Sequence, residues 1–289
     1  MTIREILFTS DLSPESDLAF EHARLLAEKV GASLTLYHVS EVPDHRYAHW
    51  AFAHGHEIWD HAEKGARECL ERRADGLKVP HEIVVDRKSS ASRGILERIR
   101  ETRPDLTVMA THRGGAIAHS LLGSVTESVV QRACCPVLAV REPAHGRPTG
   151  YRRIVVPTDL SLASRRAFPM ASCLARTFGA EVIAVHVTAA APLATLSGIP
   201  VQGGLDEAKS SPTEASVWAF MQPEFDGLGV TAEVHQGAVW ERVCDVAREE
   251  HADLILMSTR GHDSIATRIV GSNTTRVVRH APCPVLTTV

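Results

Sequence analysis

The sequence predicts a doubly wound α/β fold built twice in one chain, and three observations carry that prediction. First, 289 residues with 44% hydrophobic content suffice for two cores at about 150 residues per domain. Second, the chain repeats itself at a constant offset: ILFTSDLS ending at Ser13 returns as IVVPTDLS ending at Ser161, 148 residues later. The same offset relates Tyr37-His38-Val39 to Val185-His186-Val187, Asp105-Leu106 to Asp253-Leu254, Leu122-Gly123-Ser124 to Val270-Gly271-Ser272, and Cys135-Pro136-Val137-Leu138 to Cys283-Pro284-Val285-Leu286. A period this long belongs to complete domains; solenoid units run to about 20 to 50 residues. Third, within each half short apolar runs alternate with helical periods, the pattern of a parallel sheet buried on both faces.

Each element has its own signal. Residues 5–10 read as a strand, after which Ser13 can N-cap and Pro14 suits the first helical position. Ala19, Ala23, Leu26 and Val30 mark a helical face that Gly31 closes; Ala167, Ala171, Leu174 and Phe178, closed by Gly179, repeat it. Further strands are expected at 33–39, 81–85, 105–110 and 136–140, with helices around 57–74, 91–102 and 124–133. Five parallel strands per half follow. The junction REPAHGRPTGYRR, residues 141–153, is rich in Pro and Gly, and the boundary is placed near 146, giving domains 1–146 and 147–289.

Charge and composition narrow the partners. Thirty-one basic against 35 acidic side chains leave a net charge of -4, so neither nucleic acid nor a membrane surface is expected as a partner. No apolar run approaches the length of a bilayer span, and Arg4 and Glu5 stand where a secretory signal would be apolar; the expected location is the cytoplasm. The six cysteines form no C-x-x-C pair. They read as reduced thiols acting as small hydrophobes, with a redox role for the vicinal Cys134 and Cys135 left open. Residues 38–61 hold six histidines, among them His45 and His49 four apart. That spacing suits two metal ligands on one helix face or a solvated loop; no third ligand can be named, and no metal site is assigned.

Ligands of such sheets bind at the carboxyl ends of the strands, near the switch point. After the first strand come Thr9-Ser10-Asp11 and Pro157-Thr158-Asp159, whose carboxylates can accept from a ribose or base, or order the turn. After the fourth strand, Met109-Ala110-Thr111-His112-Arg113 leads through nine residues to Gly123-Ser124; Met257-Ser258-Thr259-Arg260-Gly261 leads through nine to Gly271-Ser272. A Gly-Ser at a helix N-terminus offers amide donors, a dipole and a hydroxyl to a phosphate. There is no P-loop, no G-x-G-x-x-G after the first strand and no H-E-x-x-H.

This set of motifs resembles the universal stress protein family in its tandem form, over nearly all of both halves. The resemblance implies Rossmann-like domains of the adenine nucleotide alpha hydrolase type, ATP as ligand with or without Mg²⁺, a regulatory or protective role in the stress response, and no required catalysis. It implies that Pro157, Asp159, Val187 and Met257 line an adenosine pocket, with Gly261, Gly271, Ser272 and Asn273 holding ribose and phosphates. The first-half set is Thr9, Asp11, Val39, Met109, Gly123 and Ser124. The family's loop reads G-x-x-G, nine residues, G-S; Ser258 and Ala110 stand at its first glycine, and Arg113 stands where the second half has Gly261. One ATP per chain, held by the second half, is therefore the expectation. A non-nucleotide carrier and a slow ATPase are the alternatives. The resemblance also implies that the closing strands, 137–140 and 285–288, pair across the halves about a pseudo-twofold axis; a homodimer is left open.

Overall fold

The computed structural model describes residues 1–42, 55–111, 123–141, 148–188, 212–259 and 271–289. The first half runs β1 (Glu5–Ser10), α1 (Pro14–Val30), β2 (Ser33–Glu41), α2 (Gly55–Ala74), β3 (His81–Lys88), α3 (Ala91–Thr102), β4 (Leu106–Ala110), α4 (Ser124–Arg132) and β5 (Val137–Val140). The second runs β6 (Arg153–Pro157), a 3-10 turn (Ser164–Ala167), α5 (Phe168–Phe178), β7 (Glu181–Thr188), α6 (Glu214–Phe225), β8 (Val230–Gln236), α7 (Val239–Glu249), β9 (Leu254–Ser258), α8 (Ser272–His280) and β10 (Val285–Thr288). The α/β class and the five parallel strands of each half are as the sequence predicts.

Local chemistry sets the element ends. The Ser13 hydroxyl accepts from Ser16 N, Pro14 occupies the first turn, and Gly31 closes α1 at φ 72°, a left-handed conformation that favours glycine. In the second half Pro169 has no N–H to give the Arg165 carbonyl. The backbone therefore enters through the 3-10 turn, with Phe168 N bonded to Arg165 O, before α5 begins. Asp105 Oδ2 accepts from Arg4 N at 2.7 Å and Glu5 N at 3.1 Å. Asp253 Oδ2 does the same for Arg152 N and Arg153 N, at 2.7 and 3.0 Å. Each half thus pins the start of its first strand to the start of its fourth.

All ten strands form one sheet in the order β3-β2-β1-β4-β5-β10-β9-β6-β7-β8. Pairing is parallel within each half, whereas β5 and β10 run antiparallel with Leu138 opposite Leu286. Those two leucines are repeat mates, so a pseudo-twofold axis passes between them. Mutual pairing removes two free strand edges. One helix-facing side of this seam carries a buried polar pair: His22 Nδ1 on α1 lies 2.8 Å from Tyr151 Oη, with the rings 5.8 Å apart. Tyr151 meets Phe178 edge-on at 5.0 Å, and Lys29 Nζ lies 5.9 Å from the Phe178 ring centre. The repeat mates of His22 and Tyr151 are Met170 and Ile3, both buried apolar residues.

Candidate functional site

In each half β1 and β4, or β6 and β9, are neighbours while the strands that follow them in sequence lie on opposite sides, the switch point at which such sheets place their ligands. In the first half this is a cleft of about 620 Å³, and Thr9, Asp11, Val39, Met109, Gly123 and Ser124 all line it. Its walls also include Tyr37, His38, Trp59 and Ile95. The volume is that of an ordinary small-molecule site.

The turn at the mouth is built by short-range hydrogen bonds. Asp11 Oδ1 accepts from Ser13 N at 3.1 Å and from Ser13 Oγ at 2.6 Å. Ser10 Oγ accepts from Leu12 N at 2.9 Å and shares a hydrogen bond with Ser16 Oγ at 3.0 Å. His38 Nδ1 lies 2.8 Å from the Ser10 carbonyl, so that nitrogen carries the proton and the ring is fixed beside the cleft. On the opposite wall Thr126 Oγ1 donates to the Ala110 carbonyl at 2.9 Å, docking α4 so that Gly123 and Ser124 bring the helix N-terminus to the strand ends.

The second half reproduces this framework. Asp159 Oδ1 accepts from Ser161 N at 3.0 Å, Thr158 Oγ1 accepts from Leu160 N at 3.1 Å and meets Ser164 Oγ at 2.9 Å, and His186 Nδ1 lies 2.9 Å from the Thr158 carbonyl. Thr274 Oγ1 donates to the Ser258 carbonyl at 3.2 Å, and Gly271 N to the Thr259 carbonyl at 2.9 Å. Pro157 and Met257 are buried at their strand ends and Val187 is half-buried, while Gly271, Ser272 and Asn273 start α8. Gly261, Arg113, His45 and His49 lie outside the described residues.

The α2 part of the first-half wall is among those that escaped the sequence reading. Trp59, Ala62 and Ala66 enter from α2, and nothing in their spacing says that this face covers a cleft. The ring-to-carbonyl bonds of His38 and His186 did leave a signal, since the two histidines recur at the repeat offset. The three buried thiols offer no activated nucleophile: burial pushes Cys135 and Cys244 up to about 11, and Cys283 is raised by the same cause. Burial, then the hydrogen bond to Asp86 at 3.0 Å, raises Tyr37, which stays a neutral donor. Among the described residues no three His, Cys, Asp or Glu side chains are grouped to hold a metal ion, and no helix is long and apolar enough to cross a membrane.

The universal stress protein family model matches residues 2–141 and again 150–288. A universal stress protein of Mycobacterium tuberculosis is 28% identical over 246 residues, covering 82% of this chain and 77% of its own. One from Mycolicibacterium smegmatis is 26% identical over 294 residues, covering 97% and 95%. Among solved structures, a universal stress protein from Archaeoglobus fulgidus superposes with a TM-score of 0.67 at 20% identity over 98% of this chain and 97% of that one, a likeness of fold.

Proposed function

Because the chain belongs to the universal stress protein family and carries the family's domain twice, we propose that it is an ATP-binding regulatory or protective protein of the stress response, acting in the cytoplasm without catalysing a reaction. The observation that carries this reading is the duplicated strand-end framework: an Asp-bearing turn facing a Gly-Ser helix N-terminus, whose turn and helix-docking hydrogen bonds recur 148 residues on. A helix N-terminus and its amides suit phosphate oxygens, the turn carboxylate suits ribose hydroxyls, and the apolar wall of Val39 and Met109, or Val187 and Met257, suits a purine face. Mg²⁺ would enter with the phosphates.

The halves, divided near residue 146, work as one paired unit through β5 and β10. Their loops differ at Arg113 and Gly261, which favours the second half for the nucleotide, because a glycine lets backbone approach the ligand closely and an arginine carries a β-carbon there. Titration calorimetry of the full chain with ATP, ADP and AMP tests this. One ATP per chain is expected; Gly261→Arg should abolish it, and Arg113→Gly should move the stoichiometry towards two. Absence of nucleotide binding, or two equivalent sites in the wild-type chain, overturns the reading.

A further inference from the structure

At the end of the first strand of each half stands a leucine in the left-handed region, Leu12 at φ 67° and Leu160 at φ 60°. A branched apolar residue holds that conformation only where its surroundings enforce it, at a cost of about 1 kcal/mol or more. In the first half the enforcement is visible. Arg73, in the last turn of α2 and with its side chain only 12% exposed, brackets the strained residue on both sides. Its Nη1 donates to Ser10 Oγ, its Nη2 donates to the Ser13 carbonyl at 3.0 Å, and Nη2 also lies 2.6 Å from Asp17 Oδ1. It is not among the residues lining the cleft.

The second half keeps the ion pair of this tie, with the charges exchanged. Arg165 stands 148 residues after Asp17. Glu224 stands one residue before the end of α6, as Arg73 stands one residue before the end of α2. The turns that follow also match, Leu77 N bonding to Ala74 O and Leu228 N to Phe225 O. Arg165 Nε and Nη2 donate to the two Glu224 carboxylate oxygens at 3.0 and 3.1 Å, the paired geometry that gives an arginine–carboxylate contact its direction. Incidental surface charges would not be expected to change sign at both ends together. What the two halves share is attraction between this helix end and the segment that follows the strained leucine.

We propose that Arg73 is a positioning residue: from α2 it holds Leu12 in its left-handed conformation, and so sets how Asp11 is presented to the cleft, while the Arg165–Glu224 pair anchors the segment that follows Leu160 to the end of α6 with inverted charge. Only its bearing on ligand affinity rests on the nucleotide reading above.

Hydrogen exchange on the full chain reads the turn directly, with the Leu160 and Ser161 amides as internal reference. Arg73→Met and Arg73→Glu should speed exchange at Leu12 and Ser13 about tenfold, the scale of a lost charged hydrogen bond, with the α2 amides unchanged. Asp17→Arg combined with Arg73→Glu rebuilds the ion pair but cannot donate to the Ser13 carbonyl, so it should slow exchange only part of the way back from Arg73→Glu. If Arg73→Glu does not fold, Arg73→Met carries the test. Exchange that rises only in α2, or a folded double variant no slower than Arg73→Glu, overturns the proposal. In the second half, Arg165→Glu should weaken ATP binding about fivefold and adding Glu224→Arg should restore it; no loss in the single variant also counts against positioning. If the wild-type chain binds no ATP, the nucleotide reading falls and the exchange rates alone decide the clamp.

Discussion

The two halves agree in the side-chain-to-backbone bonds that frame the strand ends, and their differences lie mainly where side chains meet one another, the recurring Ser10–Ser16 and Thr158–Ser164 hydroxyl pair being an exception. The Asp105 and Asp253 brackets, the Asp11 and Asp159 turns, the His38 and His186 ring bonds and the Thr126 and Thr274 docking bonds all recur with distances that agree within a few tenths of an ångström. Side-chain pairs have changed instead: Asp17–Arg73 has become Arg165–Glu224, Gly94 has become Arg242, and the His22–Tyr151 contact faces apolar mates. A backbone group has a fixed place in the fold and needs a partner there, whereas a side-chain pair can be replaced by any pair that fills and neutralises the same space.

The largest effect expected from this contrast lies at the seam. His22 is buried, and burial lowers it from 6.5 to about 4. Its hydrogen bond to Tyr151 survives in either ring tautomer, but the neutral imidazole is the form the core accepts. Between pH 6.5 and 4 the unfolded chain binds a proton that the folded chain refuses, so stability is complete above pH 6.5 and falls as pH drops through this window. The loss from this one group reaches about 3 kcal/mol. His22→Met, which installs the residue found at the mate position, should flatten that part of the profile. Urea unfolding at pH 7 and pH 4.5 checks it, and equal pH dependence in the two proteins would show that His22 is not the titrating group.

Much of this architecture was legible in the sequence, and the exceptions share a cause. The repeat, the strand runs and the Gly-Ser helix starts are local patterns. The family resemblance they carry named Thr9, Asp11, Val39, Met109, Gly123 and Ser124, which line a single cleft. The polar ends of β2 and β3 were missed, since Ser40 and Glu41 join the sheet only because Arg87 and Lys88 of the edge strand pair with them. Trp59 was missed because it depends on which way α2 faces. The inverted ion pair was hidden by arithmetic: Asp17 and Arg165 keep the offset of 148, but Arg73 and Glu224 are 151 apart, so only the fold aligns them.

Gly94 offers a smaller and more local break. A β-carbon there would meet Lys88 Cγ and Val39 Cγ2 at 2.9 Å and Tyr37 Oη at 3.3 Å, so α3 packs against β2 with no room for a methyl group. Its mate Arg242 carries a full side chain on α7. Gly94→Ala should cost about 2 kcal/mol in overpacking, offset by about 1 kcal/mol of helix propensity. Because Val39 lines the first-half cleft, the strain should also appear as amide shifts at Thr9, Val39 and Met109, with Val187 and Met257 unmoved. A stabilised variant, or shifts spread over both halves, would mean that α3 can lift off the sheet.

The smallest effect on stability separates a glycine needed by the fold from one needed by a ligand. Gly271 has φ -58°, which any residue adopts. A β-carbon on it would lie 3.8 Å from the Thr259 carbonyl oxygen and 3.8 Å from Thr274 Oγ1, at ordinary contact distance. Nothing within the described protein therefore asks for glycine here, in contrast to Gly31 and Gly179, whose φ of 72° and 66° does. Gly271→Ala should leave the unfolding free energy of the ligand-free chain within about 0.5 kcal/mol, since the lost freedom of the unfolded chain offsets a poorer helix cap. On the proposed nucleotide reading the same variant should weaken ATP binding, because its methyl group would enter the space at the helix N-terminus assigned there to a phosphate. The two measurements are independent. A destabilisation well above 1 kcal/mol would make the glycine structural after all, and unchanged affinity in a stable variant would move the nucleotide away from α8.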